Sequence, residues 1–353
     1  MEFLYEYGLF LLKTITFVIA IGVIAGIVVN SSVRRKLKSP GHIDVDKINE
    51  RFDTMRYAIK QVVDGEDVVK KERKEEEKAK EKLKKQKKKQ KKSDDEKEKG
   101  SKKRIFVVDF VGDIKASAVS ELREIVSAIL FNATTNDEVV VRLESSGGMV
   151  HSYGLAASQL DRLRQKGIPL TVCVDKVAAS GGYMMACVAN KLLAAPFSII
   201  GSIGVVAQLP NFHKILKKND IDFEQLTAGE HKRTLTLFGE NTDKARKKFI
   251  EDLELTHQLF KDFVQQQRTK VDINKVATGE IWLGVKAKEN NLVDELTTSD
   301  DYLTELAKDY ELFEVTYVIK KSLTDKLGVS IQKGVEQCVI RLLEQLQLSR
   351  YLH

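Results

Sequence analysis

Cysteine is rare in this chain: Cys173, Cys187 and Cys338 are the three among 353 residues, and each stands among apolar neighbours. None forms a Cys-x-x-Cys pair or a Cys/His cluster with metal-ligand spacing. A disulfide scaffold and a zinc module are thereby excluded, and the thiols read as small core residues. No metal or other cofactor is expected. Long apolar runs are also few. With 42% hydrophobic and 31% charged residues, the chain is neither disordered throughout nor a polytopic membrane protein. Its length suffices for one large domain or two small ones with a self-supporting core.

The formal net charge is +7, yet residues 70–104 alone hold 19 Lys/Arg against 9 Asp/Glu, so the rest of the chain is slightly acidic. A stretch of Lys, Glu, Gln and Asp has too little to bury to offset its ordering entropy, and 70–104 reads as a disordered or single-helix spacer. A polybasic patch on anionic lipid is its functional alternative. Interspersed acids, and the lack of any aromatic for base stacking, argue against a nucleic-acid partner.

Residues 9–29 form an apolar run broken only by Lys13. At about 1.5 Å per helical residue, the run matches the roughly 30 Å hydrocarbon core of a bilayer. Lys13 lies close enough to one end to snorkel. Glu2 and Glu6 precede the run with no basic residue, which disfavours a cleaved signal peptide. The expectation is a single-pass anchor over residues 1–30, with the lipid bilayer as partner. Arg34, Arg35, Lys36 and Lys38 then place the remainder in the cytoplasm by the positive-inside rule. Residues 31–69 read as a juxtamembrane helical segment, with Ile48, Phe52, Met55, Ile59 and Val62 at helical spacing. Residues 323–353 hold a last amphipathic helix, with Ile331, Val335, Leu342 and Leu346 on one stripe. It docks on its own domain or on a neighbouring subunit.

Between these lies the main domain, 105–322. IFVVDFVGDI from Ile105, VVVRL at 139–143 and LTVCV at 170–174 read as strands. Ser117–Phe131, Tyr153–Leu163, Gly182–Ala189 and Asp243–Arg268 read as helices. Alternating strands and helices imply crossover connections and a largely parallel sheet, an α/β fold.

Three glycine-rich junctions interrupt that pattern: ESSGGMV (144–150), AASGGYMMA (178–186) and IIGSIGV (199–205). Ligand sites in parallel sheets gather beyond the carboxyl ends of strands, where backbone approaches substrate only if side chains are missing. Ser180 stands just ahead of a helix. It is either a plain N-cap or a nucleophile whose neighbouring amides, with those of Gly147 and Gly148, form an oxyanion hole. None of the six histidines stands in a recognisable triad motif. Lys232 is another possible base, provided that burial lowers its pKa.

VAASGGYMMA, the upstream ESSGGMV, IIGSIGVVAQ, TAGEHKRTLT and ATGEIWLGVKAKENNLVDEL, in this order and spacing, resemble the signal peptide peptidase A family of serine peptidases, closest to its membrane-anchored branch. The resemblance implies a Clp-protease/crotonase-like fold of repeated strand-strand-helix units and a Ser/Lys dyad. Ser180 would be the nucleophile and Lys232 the general base. Ser202 would orient the lysine amine, and the amides of Gly148 and Gly181 would receive the oxyanion. It also implies a homo-oligomer whose sites are shared between protomers, peptide or protein substrates such as signal-peptide remnants or misfolded chains, and a periplasmic domain on a bacterial inner membrane. Periplasm and basic flank pull in opposite directions. Ala287 would pack a scaffold helix, and Asn290 or Asn291 would supply its left-handed cap. Ser146 replaces the proline often found before the paired glycines, and His231 replaces a tyrosine before the lysine. A catalytically degenerate oligomeric membrane scaffold and a crotonase-like acyl-CoA enzyme are the alternatives.

Overall fold

The computed structural model describes residues 41–75 and 103–319, with positions 7, 8, 10–14, 16, 17, 78 and 82 besides. The chain divides into two compact units, Ile43–Tyr317 and a second made of Met1–His42 with Val318–His353. Of the second unit, residues 10–14, 16 and 17 are helical and exposed. Most of the expected anchor, most of the 70–104 spacer and the 323–353 helix lie outside the described residues. Among the described residues no helix is long and apolar enough to cross a membrane.

The larger unit is α/β, as the alternation of patterns requires, and its described residues build one ten-stranded sheet. Strand β1 (His42–Lys47) leads into helix α1 (Ile48–Val63), and β2 (Arg104–Gly112) into α2 (Val119–Asn132). β3 (Glu138–Ser145) precedes α3 (Val150–Gln165). β4 (Leu170–Val174) and β5 (Val177–Ala179) precede α4 (Gly181–Ala186), and β6 (Lys191–Ala194) and β7 (Ile199–Gly201) follow. Then come α5 (His213–Lys218), α6 (Asp243–Gln267), α7 (Ile273–Val276), β8 (Ile281–Leu283) and α8 (Gly284–Glu289). β9 (Glu295–Leu296), α9 (Ser299–Asp309) and β10 (Glu311–Val318) complete the unit.

The sheet forks. Its main limb runs β1-β10-β2-β3-β4-β6-β9, while β5, β7 and β8 branch off beyond the carboxyl end of β3. There Ser145 pairs with Ala178, whereas earlier in β3 Val139–Arg142 pair with Leu170–Cys173 of β4. Asp175 and Lys176 break the chain between β4 and β5, so one sequence passes from one limb to the other. β6 and β7 repeat the manoeuvre.

Both faces of the main limb are covered, which is why β3 and β4 read as continuous apolar runs. Phe106, Val108 and Phe110 of β2 enter the larger core with Leu122, Ile125, Val126 and Ile129 of α2. Ile105 and Val107 alternate to the opposite face, where Ile48, Leu303 and Leu312 meet them. Residues 43–63 therefore belong to the same compact unit as the strands. The juxtamembrane pattern splits: Ile48 and Phe52 pack on the sheet, while Met55, Ile59 and Val62 stay exposed. Residues 66–75 continue as helix into the charged stretch, held by a Lys60–Glu72 ion pair at 2.6 Å.

Candidate active site

β5 ends at Ala179 and α4 begins at Gly181, so Ser180 alone forms a strand-to-helix elbow. Its φ of 52° and ψ of −119° lie where residues bearing a Cβ are rarely found. Strain of this kind costs on the order of 1–3 kcal/mol and persists only where the surroundings over-determine it. Here the backbone does so. The Ser180 N–H donates to the Gly201 carbonyl at 2.8 Å, and its own carbonyl accepts from the Met184 N–H at 2.9 Å. The hydroxyl does not cap α4, which removes the plain N-cap account of this serine. Ser180 is part-exposed, while every residue of α4 behind it is buried.

Beyond β3, Ser146–Met149 form a loop laid directly on the elbow. Gly147 has φ +87°, and a Cβ there would stand 2.7 Å from both the Ala179 carbonyl and the Gly181 nitrogen. Only hydrogen fits, so backbone meets backbone. Gly148 is pressed in the same way against the Ile114 carbonyl, which accepts the Met149 N–H at 2.8 Å. Among the described residues, the N–H groups of Gly148 and Gly181 have no hydrogen-bond acceptor.

Under this loop runs a line of hydroxyls. The Gly147 N–H donates to Ser145 Oγ at 3.1 Å, Ser145 Oγ lies 2.5 Å from Tyr153 Oη, and Tyr153 Oη donates to the Asp113 carbonyl at 2.7 Å. A carbonyl only accepts, so Tyr153 spends its proton there, and Ser145 must donate to Tyr153. Each hydroxyl is thus a donor once and an acceptor once. Tyr153 is fully buried, and burial pushes its phenol above the ordinary range despite the Ser145 hydrogen bond. Its ring rests on Gly181: a Cβ at 181 would collide with Tyr153 Cγ and stand 2.7 Å from Cδ2. Sequence reasoning placed Tyr153 in a helix without a role, because a contact with Asp113 forty residues away leaves no local spacing to read.

Ser202 joins the elbow through the short limb. Ala179 and Gly201 are register partners, so residues 180 and 202 each come directly after the same rung of one ladder. Ser202 also has positive φ, 50°, and its N–H donates to the Glu280 carbonyl at 2.7 Å. Next to it, the Ile203 carbonyl lies 3.1 Å from His257 Nε2 on α6.

Lys232 is placed differently. It sits in an exposed turn whose own N–H donates to the Gly229 carbonyl at 3.1 Å, and among the described residues no hydrogen bond links it to Ser180. Within the chain its side chain is not buried. A groove of about 800 Å³ beside this turn is lined by His231, Arg233 and the Lys244, Lys248 and Glu251 side chains of α6, but not by Ser180. Cys173 and Cys187 are buried and free, and burial pushes both thiols up to about 12, so neither offers a thiolate nucleophile. Among the described residues no group of three or more His, Cys, Asp or Glu side chains is placed to hold a metal ion.

Ala287 is fully buried in the core, and Asn291 takes the left-handed cap of α8 at φ 58°. A strained serine at a strand-to-helix elbow, flanked by glycine N–H groups without an acceptor among the described residues, is an arrangement compatible with a hydrolytic enzyme. The N-terminal model of peptidase family S49 matches residues 2–160, and the family S49 model itself matches residues 162–312. The chain is 48% identical over 340 residues to "Probable protease SohB" of Haemophilus influenzae, covering 96% of each chain. It is 43% identical to "Putative protease SohB" of a Buchnera aphidicola subspecies, covering 97% of this chain and 99% of that one. "Protease 4" of Haemophilus influenzae is 29% identical across 45% of this chain and 26% of its own length. The chain belongs to peptidase family S49, in its SohB branch, and is a protease.

Proposed function

We propose that this protease is a membrane-anchored serine endopeptidase of Clp-protease/crotonase-like fold, working through Ser180 and Lys232. The observation that carries the reading is the elbow: a serine held at positive φ with its hydroxyl unused as a cap, beside two glycine amides without acceptors. A neutral Lys232 takes the Ser180 proton as Oγ attacks a peptide carbonyl carbon. The carbonyl electron pair moves onto oxygen, where the Gly148 and Gly181 amides hold it. The C–N bond then breaks, the lysine ammonium gives its proton to the leaving amine, and water activated by the same lysine releases the acyl group. Ser202 orients the amine. Because the base must be uncharged, the rate rises towards alkaline pH.

In one copy of the chain Lys232 is exposed, so the desolvation that makes a lysine neutral comes from assembly. The working site pairs the serine of one protomer with the lysine of a neighbour in a homo-oligomer. Residues 9–29 tie that oligomer to a bacterial inner membrane. Substrates are peptides such as signal-peptide remnants or misfolded chains, met on the periplasmic side.

The test is the pair of variants Ser180→Ala and Lys232→Ala, assayed on fluorogenic peptides with a fluorophosphonate probe alongside. Each loses hydrolysis while keeping its elution volume and thermal midpoint, and wild type is labelled at Ser180. An active variant of either kind refutes the dyad. An unlabelled, inactive wild type points instead to the degenerate scaffold.

A further inference from the structure

We infer that Tyr153 is a positioning residue of the catalytic site, fixing the oxyanion loop at the distance from the elbow that the developing charge requires. The inference rests on the serine-peptidase reading and deepens it.

Two contacts of one side chain reach the two halves of the oxyanion hole. The ring lies against Gly181, whose Cα leaves it no room for a substituent. The hydroxyl, through Ser145 Oγ, holds the Gly147 N–H. Gly147 is the residue wedged between Ala179 and Gly181, and the next amide along is the Gly148 donor. Tyr153 is in turn anchored to the Asp113 carbonyl, next to Ile114, whose carbonyl accepts the Met149 N–H on the far side of Gly148. The loop is therefore pinned on both sides of Gly148: before it to Asp113 through Ser145 and Tyr153, and after it to Ile114. Two hydroxyls in series, each with its single proton committed, favour one arrangement of the loop. Any other leaves a buried polar atom unpaired.

Interactions that stabilise only the transition state act on kcat rather than on KM. The experiment compares full-length wild type, Tyr153→Phe, Ser145→Ala, their double variant and Ser180→Ala on a fluorogenic peptide amide, with thermal midpoints recorded. Losing an oxyanion donor outright costs about 10²–10³ in rate, and a donor kept but loosened costs less. Each single variant should accordingly lower kcat roughly tenfold to a hundredfold while KM stays within about twofold. Because both hydroxyls serve one link, the double variant should be no slower than the worse single. An unchanged kcat in Tyr153→Phe, a loss confined to KM, or losses that multiply in the double variant would each overturn the inference. Should Tyr153→Phe fail to fold, Ser145→Ala breaks the same link with the ring intact, and full activity there overturns the inference equally. An active Ser180→Ala chain sinks the underlying reading. A fully active Tyr153→Phe beside an inactive Ser180→Ala sinks the inference alone.

Discussion

Ser180 carries two demands that few residues meet together, a backbone twisted out of the usual regions and a hydroxyl left unspent. Its glycine neighbours make both possible by leaving space unfilled. Gly181→Ala puts a methyl group into the Tyr153 ring, and either the ring or the elbow must move. Peptide hydrolysis should fall by about a hundredfold or more, the scale of a misplaced oxyanion donor, with a lowered thermal midpoint. Gly154→Ala, inside α3 with nothing within 4 Å of the added carbon, is the matched control. It should keep activity and gain about 0.5–1 kcal/mol of stability from reduced chain entropy. Equal losses in the two variants would show that the elbow has no special need for glycine.

Among elements, the amino-terminal ends of β2 and β3 are clamped by an acid in a fully buried position. Burial pushes the Asp137 carboxyl up, but the Arg104 side chain, the Thr134 and Arg104 N–H groups and the Thr134 hydroxyl outweigh it and bring it to about 2. Arg104 Nη2 stands 2.7 Å from Asp137 Oδ2. A carboxyl depressed from 3.8 contributes stability that is fully present above that value and is lost as pH falls through about 2. The shift is worth about 2 kcal/mol. Unfolding of wild type should therefore steepen between pH 4 and pH 2, and Asp137→Asn should flatten that limb in denaturant titrations; parallel curves would remove Asp137 from the account. Elements of this length were also the legible ones. LTVCV at 170–174 is β4 residue for residue, and the long helix from Asp243 ends within one residue of its expected limit. The short limb was not legible, because β5, β7 and β8 have three residues each, too few to show a period. β10 and α9 escaped for another reason: Leu303 and Leu312 pack with Ile48, Ile105, Val107, Val140, Cys173 and Leu193, partners distant in sequence. Ser180, Gly181 and Ser202 stood out by motif, and the structure seats them together. The Tyr153–Ser145–Asp113 link did not, since hydroxyl partners follow the fold rather than the spacing.

For the molecule as a whole, the segment that carries Lys232 and the helix after it turn much apolar surface outward: Val206, Leu226, Ile250, Leu255 and Leu259 are all exposed. A neighbouring copy covering this surface is the arrangement that the proposed shared site needs. Mixing the two dead variants tests it. In a mixed oligomer, the serine of a Lys232→Ala copy meets the lysine of a Ser180→Ala copy, so part of the activity should return on co-refolding or co-expression. No recovery, with mixed oligomers verified by differently sized tags, would place serine and lysine in one chain.

The rung that joins Ala179 to Gly201 brings the backbones of Ser180 and Ser202 side by side within a single copy, while Lys232 is exposed. Under the proposed dyad, a newly made chain is latent until it meets its fellows, and dilution silences it again. Output per molecule would then climb with the concentration of the chain, so the rate of digestion would be set by how densely copies are gathered, most of all if the proposed anchor confines them to a bilayer.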